Sequence, residues 1–453
     1  MIRTLAALLV LVPALALAAP PEGKWQGAIA LGTVRLRMGL DVTKRADGTL
    51  AATLVSLDQG TPDLVADRVS FSGGTLEADF TRSDTHFQGT ITGSDLSGAY
   101  KQAGRAFPLV LEPVADFPVL ARPQEPKRPF PYVEQEVTVT VPRSPGSKDS
   151  VTLSGTLTLP KGKGPFPAVL FVGGTQPVDR DGWIARHRPL LVVSDALTRA
   201  GIVTLRFDDR GVGKSGSTRS TLAVAAGDTL TELELLVHRP EVDGKRVGLV
   251  SSSEGSVTAS MVAGKSALPR FLVFLAGVGV SGKQVLAAQQ DGLMRAVKLG
   301  DALLKRNRVA NDKLWAILES EPDDAKVAEK LGVALADDSQ MLAMMQAQVS
   351  HGATTLRDWL RTEPKDYLVK VKVPVLAMGG DLDLQVDTAT NLAAISAALE
   401  RGGNTHVETA HFAGLNHLFQ HARSGLPKEY LDSTETLARE VTAKLRAFVL
   451  ARH

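Results

Sequence analysis

Five short apolar runs constrain the fold of this chain more than any other feature. Each is bounded by glycine, proline or polar turn residues, and stretches with helical periodicity lie between them. An apolar run without alternation is typical of a strand buried on both faces, and strands that alternate with helices form parallel, doubly wound sheets. The sequence therefore predicts an α/β domain over residues 133–453. The runs are 168–172, 202–207, 247–250, 271–275 and 375–378.

The segment from about 281 to 362 contains no such run. Ala, Leu, Lys, Asp and Gln recur there at helical spacing instead. We therefore expect a helical insertion that interrupts the sheet, either as a cap above the strand ends or as simple packing against the sheet edge.

Residues 20–112 have a different pattern, in which apolar and polar residues alternate in short runs. Asp47-Gly48, Gly73-Gly74 and Ser94-Asp95 mark turns between the runs. This pattern predicts a small antiparallel β domain, closed as a barrel or a sandwich. Six prolines between residues 113 and 132 predict an extended linker to the α/β domain.

Residues 1–19 have the features of a secretory signal peptide. Arg3 precedes an apolar stretch over 5–17, and Ala16-Leu17-Ala18 supplies small residues for cleavage. The stretch is shorter than the roughly 20 residues that a membrane-spanning helix requires, and no longer apolar run follows. We expect the signal peptide to be cleaved and the protein to be secreted or periplasmic, without a membrane span.

Composition excludes several function classes. The chain has no cysteine, which removes disulfides, thiolate nucleophiles and cysteine metal sites. A formal net charge of +2 without a Lys/Arg block gives no footprint for nucleic acid. The Asp179-Arg180-Asp181 segment has no accompanying ligand cluster, and residues 211–215 lack the spacing of a phosphate-binding loop, so neither a metal nor another cofactor is expected. Oligomeric state is not predicted.

A candidate nucleophile lies where the third apolar run ends in three serines and a helical stretch begins. The strained turn of a nucleophile elbow needs small side chains two residues before and two after the nucleophile. Ser253 meets this condition, with Ser251 before it and Gly255 after it. Ser251 and Ser252 do not, because one of their neighbours in each case is a bulky aliphatic residue.

Two further candidates follow Ser253 in the order that a serine triad of this kind requires. Asp381 and Asp383 follow the fifth apolar run, at the carboxyl end of a strand, where open α/β sheets place ligands and catalytic groups. His417 lies in a short segment ahead of the last helical stretch. Serine, aspartate and histidine therefore occur in the order typical of α/β-hydrolases.

From about Pro131 onward the chain resembles bacterial α/β-hydrolases of the secreted esterase and serine-peptidase-like group, related to dienelactone hydrolases, that carry an N-terminal β domain. In that group the elbow usually reads G-H-S-E-G, so Ser251 and Ser252 depart from it at the first two positions while the turn keeps its small residues. The resemblance rests on segments 173–182, 208–215, 251–255, 380–383 and 415–417.

This resemblance implies an α/β-hydrolase fold with a helical cap and a role for each candidate residue. Ser253 would be the nucleophile and His417 the general base, and the resemblance favours Asp383 over Asp381 as the acid that orients His417. The tetrahedral oxyanion needs two donors. They are expected from the backbone N–H of Glu254 and from that of Thr175 or Gln176 in the loop after the first run.

Three functions are compatible with these residues. The leading hypothesis is hydrolysis of a small-molecule carboxylic ester through an acyl-serine intermediate. A peptidase or amidase would use the same three residues on a short peptide or an amide. The third possibility is a non-catalytic binding protein built on a hydrolase scaffold, for which the departures at Ser251 and Ser252 are the support.

Overall fold

A computed structural model describes residues 20–31, 34–58, 63–102, 104–118, 120–216, 221–350 and 352–452. The signal-peptide prediction lies outside the described residues. Within these ranges, no helix is both long enough and apolar enough to span a bilayer. The chain divides between residues 119 and 120 into two compact units.

The first unit is a single antiparallel sheet of nine strands in the order β4-β3-β2-β1-β9-β8-β7-β6-β5. β4 and β5 stand at opposite ends of this order although only two residues separate them along the chain. The sheet therefore curls until its two ends come together, as in the barrel alternative, and the predicted antiparallel β fold is confirmed. The strands are β1 Gly23–Leu31, β2 Val34–Lys44, β3 Leu50–Ser56, β4 Leu64–Val65, β5 Arg68–Ser72, β6 Thr75–Phe80, β7 Thr85–Thr92, β8 Asp95–Gln102 and β9 Arg105–Val114.

Alternation along each strand fills the inside of this curled sheet. In β6, the side chains of Leu76, Ala78 and Phe80 are buried, whereas the residues between them are partly exposed. Because successive side chains of a strand point to opposite faces, the apolar ones all lie on the inner face. The first unit thus has a hydrophobic core of its own.

The second unit is built on an eight-stranded sheet in the order β10-β11-β13-β12-β14-β15-β16-β17. β10, β11 and β13 pair antiparallel, and from β13 through β17 every pair is parallel. The five apolar runs all lie in parallel strands, so the predicted mostly parallel sheet is confirmed. The strands are β10 Val133–Pro142, β11 Ser150–Leu159, β12 Phe166–Val172, β13 Val203–Phe207, β14 Val242–Ser252, β15 Phe271–Leu275, β16 Val375–Gly380 and β17 Val407–Phe412.

Helices cover both faces of this sheet, and two apolar clusters pack on its opposite sides. Six helices lie between β15 and β16, and the first five of them, α4 to α8, form the insertion, which has a further apolar cluster. The helices are α1 Pro189–Arg199, α2 Leu222–Val237, α3 Gly255–Ala263, α4 Gly282–Ala296, α5 Asp301–Ser320, α6 Asp324–Ala334, α7 Ser339–Ser350, α8 Ala353–Leu360, α9 Lys365–Leu368, α10 Thr388–Arg401, α11 Lys428–Asp432 and α12 Arg439–Leu450.

The strand order changes direction at β12. From β12 the chain first adds β13 on one side, and it later adds β14 on the other side. In open α/β sheets, ligands bind outside the carboxyl ends of the strands at such a switch point. The fold therefore directs attention to the segments that follow β12 and β14.

His187 is a buried histidine that holds loops of the second unit together. Its side chain is fully enclosed, with Nε2 2.8 Å from the backbone oxygen of Tyr430 and Nδ1 3.0 Å from Oγ1 of Thr436. A carbonyl oxygen only accepts hydrogen bonds, so Nε2 carries the proton and Nδ1 accepts from the hydroxyl. Burial lowers the pKa of His187 to about 4.

This depressed pKa makes the second unit sensitive to acid. Below the ordinary histidine pKa of about 6.5, His187 is protonated in the unfolded chain but stays neutral in the folded protein. The free energy of unfolding therefore decreases as the pH falls from about 6.5 to about 4. We expect urea unfolding of His187→Gln to show a shallower loss of stability across this interval, by up to about 3 kcal/mol. His421→Gln is the control, because this exposed histidine has a raised pKa beside Glu435. Equal pH dependence in wild type and His187→Gln would contradict the assignment.

Candidate active site

Ser253 lies in a tight turn between β14 and α3. Its φ of +54° is in the left-handed region, which non-glycine residues rarely adopt. The backbone N–H of Ser253 donates to the oxygen of Leu275 in β15 at 2.8 Å, and Oγ of Ser256 donates to the carbonyl of Ser253 at 2.8 Å. The turn is therefore held from both sides, with the strand, elbow and helix that the sequence predicts.

The small residues on either side of Ser253 have physical reasons to be small. Ser251 is buried between strands, and its Oγ donates to the carbonyl of Val273 at 3.2 Å. A Cβ added to Gly255 would lie 2.1 Å from the carbonyl oxygen of Gly173, closer than any side chain tolerates. Only glycine at 255 allows α3 to begin this near the end of β12.

Asp383 and His417 are brought together by the structure. His417 Nδ1 lies 2.8 Å from Asp383 Oδ2, and the Asp383 side chain is fully buried. The other carboxylate oxygen accepts from the backbone N–H groups of Gln385 and Val386 at 2.8 and 2.9 Å. Because a carboxylate accepts, Nδ1 of the neutral ring donates the proton, which leaves Nε2 as an acceptor.

Asp381 has a different role from Asp383. It is exposed, and its Oδ1 accepts from the backbone N–H of Gly414 at 2.6 Å. It therefore holds the segment that leads to His417, and among the described residues it forms no hydrogen bond with the imidazole ring. Of the two carboxylates, the structure pairs Asp383, which the resemblance favours, with the histidine.

Asn416 is a positioning residue that sequence reasoning missed. It is buried, and its Oδ1 accepts from the backbone N–H groups of Leu418 and Gln420 at 3.0 Å each. These bonds close a tight turn around His417. The available signal was the asparagine beside the histidine, since asparagine side chains commonly hydrogen-bond the backbone two residues further on.

The loop after β12 approaches the elbow closely. A Cβ on Gly174 would lie 3.4 Å from Cβ of Ser253. Within the described part of the chain, the backbone N–H groups of Thr175, Gln176 and Glu254 donate to no acceptor. The structure thus leaves unpaired the three donors that the sequence proposed for an oxyanion site.

Glu254 faces the same loop with its side chain. Thr175 Oγ1 donates to Glu254 Oε2 at 2.7 Å. Burial is the main cause that raises the pKa of the Glu254 carboxyl, and the nearby carboxylate of Asp358 acts in the same direction.

The candidate groups share one edge of the sheet. Ser253 follows β14, Asp383 follows β16 and His417 follows β17, and these strands run parallel. No hydrogen bond between described residues joins Ser253 Oγ to the His417 ring. The strand order, the elbow after β14, the aspartate after β16 and the histidine after β17 are those of one fold. The second unit has an α/β-hydrolase fold.

Comparisons with known proteins find similarity to hydrolases. No family model matches the chain. Esterase EstD of Thermotoga maritima is 34% identical over 116 residues, which is 25% of this chain and 28% of the esterase. The chain thus matches less than a third of the length of that curated relative.

Solved structures with a similar fold include two further hydrolases. An esterase from Pyrococcus furiosus matches 74% of this chain and 99% of its own, with 16% identity and a TM-score of 0.44. Proline iminopeptidase of Mycobacterium smegmatis matches 70% of this chain and 98% of its own, with 16% identity and a TM-score of 0.43. Similarities of this size carry no conclusion about activity.

Two charged segments, 179–181 and 208–210, hold the far end of the loop that follows β12. Arg180 makes a two-armed hydrogen bond to Asp208, with nitrogen–oxygen distances of 3.0 and 2.7 Å. Asp209 Oδ2 accepts from the backbone N–H of Val178 at 2.8 Å, and burial raises the pKa of Asp209 to about 6. Both charged segments therefore help to hold the loop after β12 in place.

A cavity of about 440 Å³ lies between α4 of the insertion and the segment that carries Asp383. Its lining is mainly apolar, with Asp291 and Asp387 as charged groups besides Asp383. The size falls within the range of small-molecule pockets. Besides the three charged residues, the lining consists of Val280, Gln284, Val285, Ala287, Ala288, Gly292, Leu384, Thr390 and Asn391.

No group of three or more His, Asp or Glu side chains in the described ranges is arranged to hold a metal ion.

The contact of Gly255 with Gly173 predicts a large effect of a single methyl group. Gly255→Ala should destabilise the second unit by about 2 kcal/mol or more, because the Cβ forces α3 away from β12. Gly227→Ala is the matched control, since Gly227 lies inside α2 with open space at its Cβ position. Alanine should stabilise that helix by about 0.5–1 kcal/mol. Thermal unfolding of both variants tests the pair, and a harmless Gly255→Ala would refute the steric argument.

Proposed function

We propose that this protein is a serine hydrolase that cleaves carboxylic esters through an acyl-serine intermediate. The observation that carries the proposal is the 2.8 Å contact between His417 Nδ1 and Asp383 Oδ2. It turns Nε2 into a proton acceptor at the sheet edge where Ser253 is held in a strained turn.

The proposed reaction begins with attack by Ser253. A serine hydroxyl is a weak nucleophile at neutral pH, so Nε2 of His417 accepts its proton as Oγ bonds to the ester carbonyl carbon. The imidazolium that forms is stabilised by the buried carboxylate of Asp383. His417 then donates the proton to the alcohol oxygen as the ester C–O bond breaks, which leaves the acyl group on Ser253. In the second step, the same ring accepts a proton from water, which attacks the acyl carbon. The bond to Oγ then breaks, the acid leaves, and Ser253 regains its proton from His417.

Negative charge develops on the carbonyl oxygen during both the formation and the hydrolysis of the acyl-serine. The unpaired backbone N–H of Glu254 and that of Thr175 or Gln176 are the proposed donors to this oxyanion. Preorganised donors of this kind account for a large part of the rate enhancement in acyl transfer.

One observation supports an ester as the substrate. The curated relative with 34% identity over part of its length is named an esterase. A short peptide or amide remains the alternative substrate for the same three residues.

The assignment of Ser253 predicts selective loss of activity and labelling. Ser253→Ala should lower kcat on short p-nitrophenyl esters by at least about a thousandfold and abolish labelling by a fluorophosphonate. Ser252→Ala is the neighbouring control and should still be labelled. Labelling that persists in Ser253→Ala would remove the mechanism. Faster turnover of peptide amides than of esters would favour the peptidase alternative.

We also propose that the protein acts outside the cytoplasm, after cleavage of residues 1–19. The support is the basic start, the short apolar stretch and the small residues at 16–18. N-terminal sequencing of the protein recovered from the periplasm or medium of a bacterial host should begin near residue 20. A chain retained in the cytoplasm with its first residues intact would contradict this proposal.

A further inference from the structure

Thr175 and Glu254 are joined by their side chains although 79 residues separate them in sequence, with an O–H···O distance of 2.7 Å. The backbone N–H of Glu254 is one proposed donor to the oxyanion, and that of Thr175 is one of the two candidates for the second donor. One side-chain bond therefore connects the two segments that must present donors to the same oxygen atom.

We infer that the Glu254 side chain is a positioning residue that fixes the Thr175 donor relative to the Glu254 donor. The inference rests on the proposed function. It adds a role for a carboxylate that neither accepts a proton from the nucleophile nor orients His417.

The loop after β12 is anchored at its ends by other contacts. At one end, the carbonyl of Gly173 packs against Gly255. At the other end, Val178 and Asp209 exchange two hydrogen bonds, of 2.8 and 3.1 Å. Between these points, the bond from Thr175 to Glu254 is the one hydrogen bond that residues 174–177 make with the described part of the chain.

Glu254 is a suitable reference point because its backbone is fixed. It caps the start of α3, and its carbonyl accepts from the backbone N–H of Val257 at 2.9 Å. The neighbouring Gly255 is locked against β12, as described above. A bond to this side chain transfers the rigidity of the elbow to the middle of the loop.

Substitution of Thr175 tests whether its hydroxyl sets the donor geometry. Thr175→Val keeps the shape and removes the hydroxyl, so kcat on a short p-nitrophenyl ester should fall about tenfold, the factor expected for one net hydrogen bond. KM should stay within about twofold, because the oxyanion forms only in the transition state. Thr175→Ser keeps the hydroxyl and should recover most of the lost kcat.

A trifluoromethyl ketone supplies a readout that a purely structural role would not move. Oγ of Ser253 bonds to the ketone carbon, and the ketone oxygen becomes a tetrahedral oxyanion. The affinity of the inhibitor should therefore fall in Thr175→Val by the same factor as kcat/KM. Thermal unfolding of each variant serves as the check on folding. Unchanged kcat and inhibitor affinity in folded Thr175→Val, or an equal loss in Thr175→Ser, would overturn the inference.

Substitution of Glu254 gives a second test of the same bond. Glu254→Gln keeps a carbonyl oxygen that can accept from Thr175 and should retain most of kcat, whereas Glu254→Ala should lose as much as Thr175→Val. The double variant Thr175→Val/Glu254→Ala should lose no more than either single variant, because both remove the same bond. Additive losses would overturn the inference. If Thr175→Val fails to fold, the comparison of Gln with Ala at 254 decides the question.

The design separates this inference from the proposed function. Ester hydrolysis that survives Ser253→Ala refutes the proposed function. Hydrolysis that depends on Ser253 but is indifferent to the bond between Thr175 and Glu254 refutes only the positioning role.

Discussion

The parallel pairing of β14 with β12 on one side and β15 on the other is the constraint on which the site depends. Ser251 of β14 is level with Val172 of β12 and with Phe274 of β15. Two residues further on stands Ser253, and one residue beyond Val172 the glycine loop begins. The register of three strands thus brings Ser253 close to the loop after β12, and a shift by one residue would reverse which side chains face each layer.

The pairing of β16 with its two neighbours explains why Asp381 and Asp383 make different contacts. β16 is paired with β15 on one side and β17 on the other, with Gly380 opposite Phe412. The acid segment and the histidine segment therefore leave the sheet side by side. Asp383 turns back under its own loop, where two backbone N–H groups hold it, whereas Asp381 points outward to the backbone of Gly414. A buried, fully hydrogen-bonded carboxylate can orient an imidazole without competition from water.

Rigidity around the elbow comes from close backbone approach and from buried charge pairs. Gly255 lets α3 touch the end of β12, and the Arg180–Asp208 pair holds the loops beneath. Removing one partner of such a buried pair would leave an uncompensated charge, which costs several kcal/mol. The candidate site thus sits on parts of the second unit that have little freedom to move, as the proposed oxyanion site requires.

The sequence by itself determined the elements whose signals are local. Apolar runs without alternation identified the parallel strands, alternation identified the first unit, and the small neighbours of Ser253 identified the elbow, because burial and tight turns act on adjacent residues. The resemblance favoured Asp383 over Asp381, but only the tertiary structure showed that Asp383 contacts His417. It also showed that His187 holds loops together and that Thr175 bonds Glu254. These contacts span up to 249 residues, and they follow from strand register and loop conformation, which no local pattern encodes.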